Sequence, residues 1–442
     1  MAGRVLHAAT MRRVKHATRA VSLWVVLACA VGTMSVGTAL KYRCAGGDYS
    51  DGRQYHDLCY TDVVPLLSTE QLSGGRLPFL DACRKTTDGN NCDEYPVITM
   101  YVMRTAGWIA QADTSLRGGT GINVEAFYYT NAVILTVFAA ATAFGLWTLV
   151  GRRALWFALA PTLLIYGVVN WDLVAVAFAT LALVAFAARR DGWAGVLLGL
   201  GAASKLYPVL LVVPLFLQGI QDREPDRSVR VLWWTVGTWI VVNLPFAVTS
   251  SSSWFEFFRF NSQRGKDFDS LWYLACRHWD AGCLSTGMVN LLSAIAFVVG
   301  FGVLLVLKTV RQPNFARWTL GFPLIAWFLL TNKVYSPQYD LWLLPWFALA
   351  IPSFWAFAAF EAADIAVFIT RFRWFFPVYV SDAAPISTQE MWYELALLAR
   401  AAILVWCLVV WVREESPVLA LGTRGWRSAR ARPGAPAAPV PA

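Results

Sequence analysis

The sequence predicts an all-α fold: a polytopic bundle of about twelve membrane-crossing helices. Three observations carry that expectation. Of the 442 residues, 57% are hydrophobic and only 15% are charged, whereas soluble domains are about one-quarter charged. Long apolar runs recur from end to end. Basic residues gather at both ends, in "MAGRVLHAATMRRVKHATRA" and "RGWRSARARPG", and in short loops such as "GRR" and "AARRDG". A net charge of +9 spread in this way is the positive-inside pattern rather than a nucleic-acid face, and it sets both termini in the cytoplasm.

Taken in order, residues 1–19 form a basic cytoplasmic N-terminus. The run from Val21 to Leu40 is long and lacks a small-residue cleavage site after it, so it reads as a retained anchor. The expected spans are 20–41, 126–150, 154–169, 172–188, 192–204, 206–219, 230–249, 286–307, 317–331, 339–351, 353–370 and 391–412. Together they make a transmembrane domain over 20–416, with large outer loops at 41–110 and 250–285. The segment 96–110 is too short to cross and reads as a helix lying on or dipping into the outer face. The Pro/Ala/Arg-rich stretch 417–442 reads as a disordered cytoplasmic tail.

Several spans are shorter than the roughly 20 residues that hydrocarbon requires. They break at "VVNWDLVA" (168–175), "AASKLYPVLL" (202–211) and "LLTNKVYSPQYDLWLLP" (329–345), all on the expected outer side. Short helices ending at polar clusters leave a cavity, where irregular backbone is tolerated because it does not face lipid. Ordinary hairpin turns are the plainer reading, and three clusters on one side favour the cavity.

Six of the eight cysteines fall in the outer loops: Cys44, Cys59, Cys83 and Cys92 in the first, Cys276 and Cys283 in the second. That distribution fits an oxidising exterior. The spacing is unlike CxxC and no His accompanies it, which disfavours zinc. Four cysteines allow three connectivities, of which neighbour pairing, Cys44–Cys59 and Cys83–Cys92, is the one expected.

Chemistry on that face requires an activated group delivered on lipid, because nucleotide sugars and ATP are absent outside a bacterial plasma membrane. Sugar transfer from a polyprenyl phosphate needs a carboxylate to take the acceptor's proton and cations to hold the departing phosphate. Asp62, in "CYTDVVPLL", and Lys205 are the candidates for those roles. Each has a plainer reading, Asp62 as a helix cap and Lys205 as a snorkelling helix-end lysine. Asp172 and Asp340 begin outward-facing ends of spans and are balanced between lining the site and capping. "DFD", Asp267 and Asp269, imitates a metal-binding Asp-x-Asp, but three residues without a diphosphate donor make a chance match the better reading.

"YTDVVPLLSTEQLSGGRLPFLD…CDEYPVITM", "GLGAASKLYPVLLVVPLFL" and "NKVYSPQYDLWLLPWFALA" resemble the GT-C fold glycosyltransferases that use polyprenyl-phosphate sugars, and glycosyltransferase family 87 in particular, which includes phosphatidylinositol-mannoside mannosyltransferases. The likeness covers about residues 55–350. It implies that Asp62 is the catalytic base, that Glu94 and Tyr95 line the site, and that Lys205, ahead of Pro208, faces the donor phosphate. Mannoside-transferring members resemble "SP-x-x-W" followed by His. Here "SPQYDLWLLP" has no His, and Tyr335, Gln338 and Asp340 stand there instead.

The resulting expectation is an inverting hexosyltransferase of the cell envelope, with mannose as the first sugar to test. Arg264 would assist Lys205 at the phosphate. No cofactor or metal is required, because polyprenyl phosphate is already a competent leaving group. The acceptor would be a glycolipid or an envelope glycan. The rival is a transporter or lipid flippase, which would place ionisable residues near the midplane of two repeated halves; the polar clusters lie at one edge and no internal repeat is evident.

Overall fold

The computed structural model describes residues 21–47, 49–83, 92–279, 283–380 and 387–417. The basic N-terminus expected over 1–19 and the tail from 418 onward lie outside the described residues. Among the described residues, every regular element is helical.

The chain enters as α1 (Leu23–Leu40), started by Ser22, whose hydroxyl accepts from the Val25 N–H at 3.3 Å. The loop that follows carries α2 (Val63–Thr69) and α3 (Val97–Leu116). The second of these covers the helix expected over 96–110 and continues it by about two turns. Asn123 caps α4 (Val124–Val150), accepting from the Ala126 N–H at 2.9 Å. The span expected over 154–169 is instead broken into Leu155–Ala158 and Pro161–Tyr166. Proline lacks the N–H that would continue the ladder and is accommodated in a first turn, so a new helix starts there. Next come α5 (Asp172–Ala187), α6 (Asp191–Ser204), α7 (Pro225–Thr249), α8 (Ser251–Gln263), α9 (Thr286–Arg311), α10 (Gly321–Thr331), α11 (Phe354–Tyr379) and α12 (Ser387–Arg413).

Among the described residues, five segments are long and apolar enough to cross a membrane: Leu23–Leu40, Val124–Ala158, Pro225–Thr249, Thr286–Arg311 and Thr388–Arg413. Most of α7 and α9 is exposed, with Trp233, Val241, Val298 and Val299 pointing outward. Shorter helices fill the centre. Nearly all of α5 is buried, as is every residue of Leu344–Ala350. Long helices surrounding short ones leave room over the ends of the short ones. The span expected over 353–370 runs on to Tyr379. Arg371 does not end it, because its partly buried guanidinium lies 2.7 Å from Asp269, and Phe372, Trp374 and Phe375 continue the buried face.

Three disulfides form between sequence neighbours, Cys44–Cys59, Cys83–Cys92 and Cys276–Cys283, while Cys29 and Cys407 are free thiols. The first two are the pairs expected.

Gly195 and Gly199 bring α6 against α7. A Cβ at Gly195 would stand 2.5 Å from the Val231 carbonyl oxygen, and one at Gly199 would stand 2.7 Å from that of Thr235. Small residues four apart allow such backbone approach where lipid offers no hydrophobic drive between helices. Gly195→Ile should therefore force the pair apart and cost about 1–3 kcal/mol, the range for overpacking. Thermal unfolding in detergent checks this, with Gly237→Ile, where a Cβ meets open space, expected to change little.

Candidate active site

A cavity of about 680 Å³ lies where the three polar clusters meet the two disulfide-bearing loops. Asp62 and Glu94 reach it from the first loop, Asn170 from the turn before α5, Lys205 from the end of α6, Arg264 and Asp267 from the second loop, and Lys333 and Gln338 from the segment after α10.

Asp62 stands at the N-cap position of α2, yet its side chain makes no capping bond. Thr61 takes that part, its hydroxyl accepting from the Val63 N–H at 3.2 Å. The Asp62 carboxylate turns into the cavity instead. It accepts from the Tyr60 hydroxyl at 2.6 Å, from Asn170 Nδ2 at 2.7 Å and from Gln338 Nε2 at 3.5 Å. Burial raises Tyr60 well above the ordinary tyrosine range, so its hydroxyl stays a donor. Among the described residues no cation comes within ion-pair distance of Asp62. An oriented carboxylate with neutral donors around it is available to accept a proton.

Lys205 follows α6 in extended backbone. Its end of the helix is tied to α3 by the Thr99 hydroxyl, which donates to the Ser204 carbonyl at 2.7 Å. The ammonium lies 2.6 Å from Asp172 Oδ1, 3.5 Å from Asn170 Oδ1 and 4.9 Å from the Tyr339 ring centre. That ring belongs to a stack, Tyr207–Trp342–Tyr339, with centres 4.2 Å apart at each step. Asn170 thus connects the Asp62 carboxylate to the lysine, and it also donates to the Tyr95 hydroxyl at 2.8 Å.

Across the cavity, Arg264 Nη2 donates to Asp267 Oδ2 at 3.1 Å, and the Ser336 hydroxyl donates to the same oxygen at 2.9 Å. Asp269 lies deeper, 2.7 Å from Arg371 and bonded to the Tyr393 hydroxyl. Both acids of "DFD" are therefore engaged by guanidinium groups. The pattern is not idle as a chance match would be: it ties the second loop to α11 and α12.

Asp62, Glu94, Tyr95, Lys205, Arg264 and Gln338 all lie on the cavity wall. Asp172, Tyr335 and Asp340 do not, which corrects the expectation for them. Asp172 is fully buried beneath Lys205, where it also accepts from Trp342 Nε1 at 2.7 Å, and it neither caps nor lines. Asp340 is turned away by Arg400 of α12, 3.0 Å from its Oδ2, and by the Tyr335 hydroxyl on its other oxygen. The sequence pointed to neither Asn170, Tyr60 nor Arg371 as site residues, and it set Lys333 on the outer face beside the cavity without a role. Asn170 and Tyr60 sat in quoted motifs, whereas Arg371 lies beyond any motif used.

Comparison with known proteins adds one family. The glycosyltransferase family 87 profile matches residues 95–332. No curated protein matches the chain. Among solved structures, the crystal structure of ArnT from Cupriavidus metallidurans bound to undecaprenyl phosphate is similar at 11% identity and a TM-score of 0.42, over 90% of this chain and 77% of that one.

The wall rests on a buried acidic knot in the first loop. Arg76 grips Asp93 with two bonds, at 2.8 and 3.1 Å, and Glu70 accepts from the Asp93 N–H at 2.6 Å. Burial lifts the Glu70 carboxyl from 4.5 to about 8, and burial lifts Glu94 to about 7. Folded Glu70 keeps a proton that the unfolded chain has already released between pH 4.5 and about 8. Its contribution to stability is therefore fully present below the lower value and is lost as pH rises toward the upper one. Melting temperature should fall from pH 5 to pH 8, and Glu70→Gln should flatten that slope. An unchanged slope in the variant would contradict the burial of the carboxyl.

Proposed function

Because the chain belongs to glycosyltransferase family 87, we propose that it transfers a hexose, with mannose the first to test, from a polyprenyl monophosphate carrier to a glycolipid or envelope glycan. The observation that carries the reading is Asp62: a carboxylate oriented by Tyr60, Asn170 and Gln338, on the wall of a cavity that also presents Lys205, Arg264, Lys333 and Arg371.

In this reading the acceptor hydroxyl donates its hydrogen bond to Asp62. Its oxygen attacks the anomeric carbon from the face opposite the phosphate, and the proton passes to the carboxylate. The bond between that carbon and the phosphate oxygen breaks, its electron pair remaining on the phosphate. The products are the inverted glycoside and polyprenyl phosphate. Cations on the cavity wall, Arg264 among them, offset the charge that develops on the leaving oxygen. A phosphate of this kind leaves without a general acid or a metal.

The site would face the exterior, with both termini cytoplasmic and about twelve spans between them. Disulfides in the loops that build the cavity favour that side, since such bonds persist where the environment is oxidising. An exterior site also favours a lipid-borne donor over a nucleotide sugar.

Purified protein in lipid nanodiscs, given radiolabelled polyprenyl-phosphate mannose and a membrane-lipid extract, should form a labelled glycoside. Asp62→Asn should reduce turnover by about 10²–10⁴, the usual worth of a positioned base, while melting like wild type. Equal transfer by the folded variant would remove Asp62 from the chemistry, and failure of wild type with every hexose donor would remove the function.

A further inference from the structure

The cations on the cavity wall are not equivalent. Lys205 lies 2.6 Å from Asp172, whose side chain is fully buried, so its charge is met within the protein. Arg371 is met by Asp269 at 2.7 Å. Arg264 draws on Asp267, which also faces Arg371 at 4.0 Å and accepts from Ser336. Lys333 differs from all three. Its amine donates to the Ser262 carbonyl at 3.0 Å, and among the described residues it pairs with no carboxylate.

Lys333 is also placed with unusual firmness for such a group. Its own carbonyl accepts from the Asp267 N–H at 2.9 Å, which joins its backbone to the loop that carries Arg264. Only 5% of the residue is exposed. Burial and then the nearby Arg264 push the ammonium below the ordinary lysine range. A cation set in a confined place beside a second cation, with donor capacity left over, calls for an anion from outside the protein.

We propose that Lys333 and Arg264 together seat the donor's phosphate, and that Lys205 acts as a positioning residue, holding Asn170 and through it Asp62. The inference rests on the transfer reaction proposed above. Lys333 would donate two N–H groups to phosphate oxygens, and Arg264 would donate those not taken by Asp267. The negative charge of the phosphate would then bring two adjacent cations into balance. Lys205 could not serve equally, because a phosphate beside it would also stand close to the Asp172 carboxylate.

Binding of undecaprenyl phosphate and of uncharged undecaprenol to full-length protein in nanodiscs tests this. Wild type should prefer the phosphate. Lys333→Met should weaken phosphate binding about tenfold or more, the effect of losing a charge-assisted bond. Undecaprenol binding and the melting temperature should stay as they were, and Lys333→Arg should restore most of the phosphate affinity. Lys205→Met should weaken phosphate binding less than Lys333→Met does, while reducing turnover. Undiminished phosphate binding by Lys333→Met overturns the assignment and leaves the transferase reading standing. A wild type with no preference for phosphate over alcohol overturns both.

Discussion

The cavity depends on how one turn of the first loop is fastened to the turn before α5. The Asp62 N–H donates to the Val169 carbonyl at 2.9 Å, the Thr61 hydroxyl to the Val168 carbonyl at 2.8 Å, and Asn170 Nδ2 to the Asp62 carboxylate at 2.7 Å. Two segments about 107 residues apart in sequence thus satisfy each other's backbone at the end of the bundle. Buried peptide groups need such partners, and these partners also determine where the carboxylate points. The Cys44–Cys59 bridge and the bond from the Lys41 ammonium to the Tyr60 carbonyl, 2.9 Å, restrain the same turn from the other side.

Around that turn the charges are sorted by how completely the protein meets them. Asp269, Arg371, Asp340 and Arg400 interlock below the cavity and draw in α11 and α12. A buried pair of this kind contributes little net stability but is costly to break, so it favours one arrangement of the helices over others. Lys205 and Asp172 form a second closed pair. Left on the wall, among the described residues, are the carboxylates of Asp62 and Glu94, which pair with no cation, Lys333, which pairs with no carboxylate, and Arg264, which shares Asp267 with Ser336. In the transfer proposed above, Asp62 would take up the proton and the cations would meet the phosphate's charge.

Much of this was legible in the sequence, and the limits have physical causes. Local signals survived. The disulfides join neighbours, and three polar clusters interrupting apolar runs marked the ends of short helices that meet at the cavity. Asp62 stood out as a candidate, against the plainer reading as a helix cap, because it borders the same cavity as Lys205 and falls in the "YTD" of the family resemblance. Asp340 looked like a cavity residue because its partner, Arg400, lies 60 residues later in a helix that reads as plain lipid-facing sequence. The span expected over 353–370 stops short of Arg371 for the same reason, since its partner Asp269 comes from another loop. Asn170 was hidden because an asparagine before a helix is ordinarily a turn residue. Pairings between distant segments leave no periodicity to find.

The most direct test of the central claim is a cryo-electron microscopy structure with a phosphonate analogue of polyprenyl-phosphate mannose that cannot be cleaved. The account predicts the phosphonate in contact with Arg264 and Lys333. It also predicts the anomeric carbon turned toward Asp62, with room for one hydroxyl at the roughly 3–3.5 Å of a reacting pair. A head group bound away from Asp62, or a carboxylate turned out of the cavity to cap α2, would contradict it.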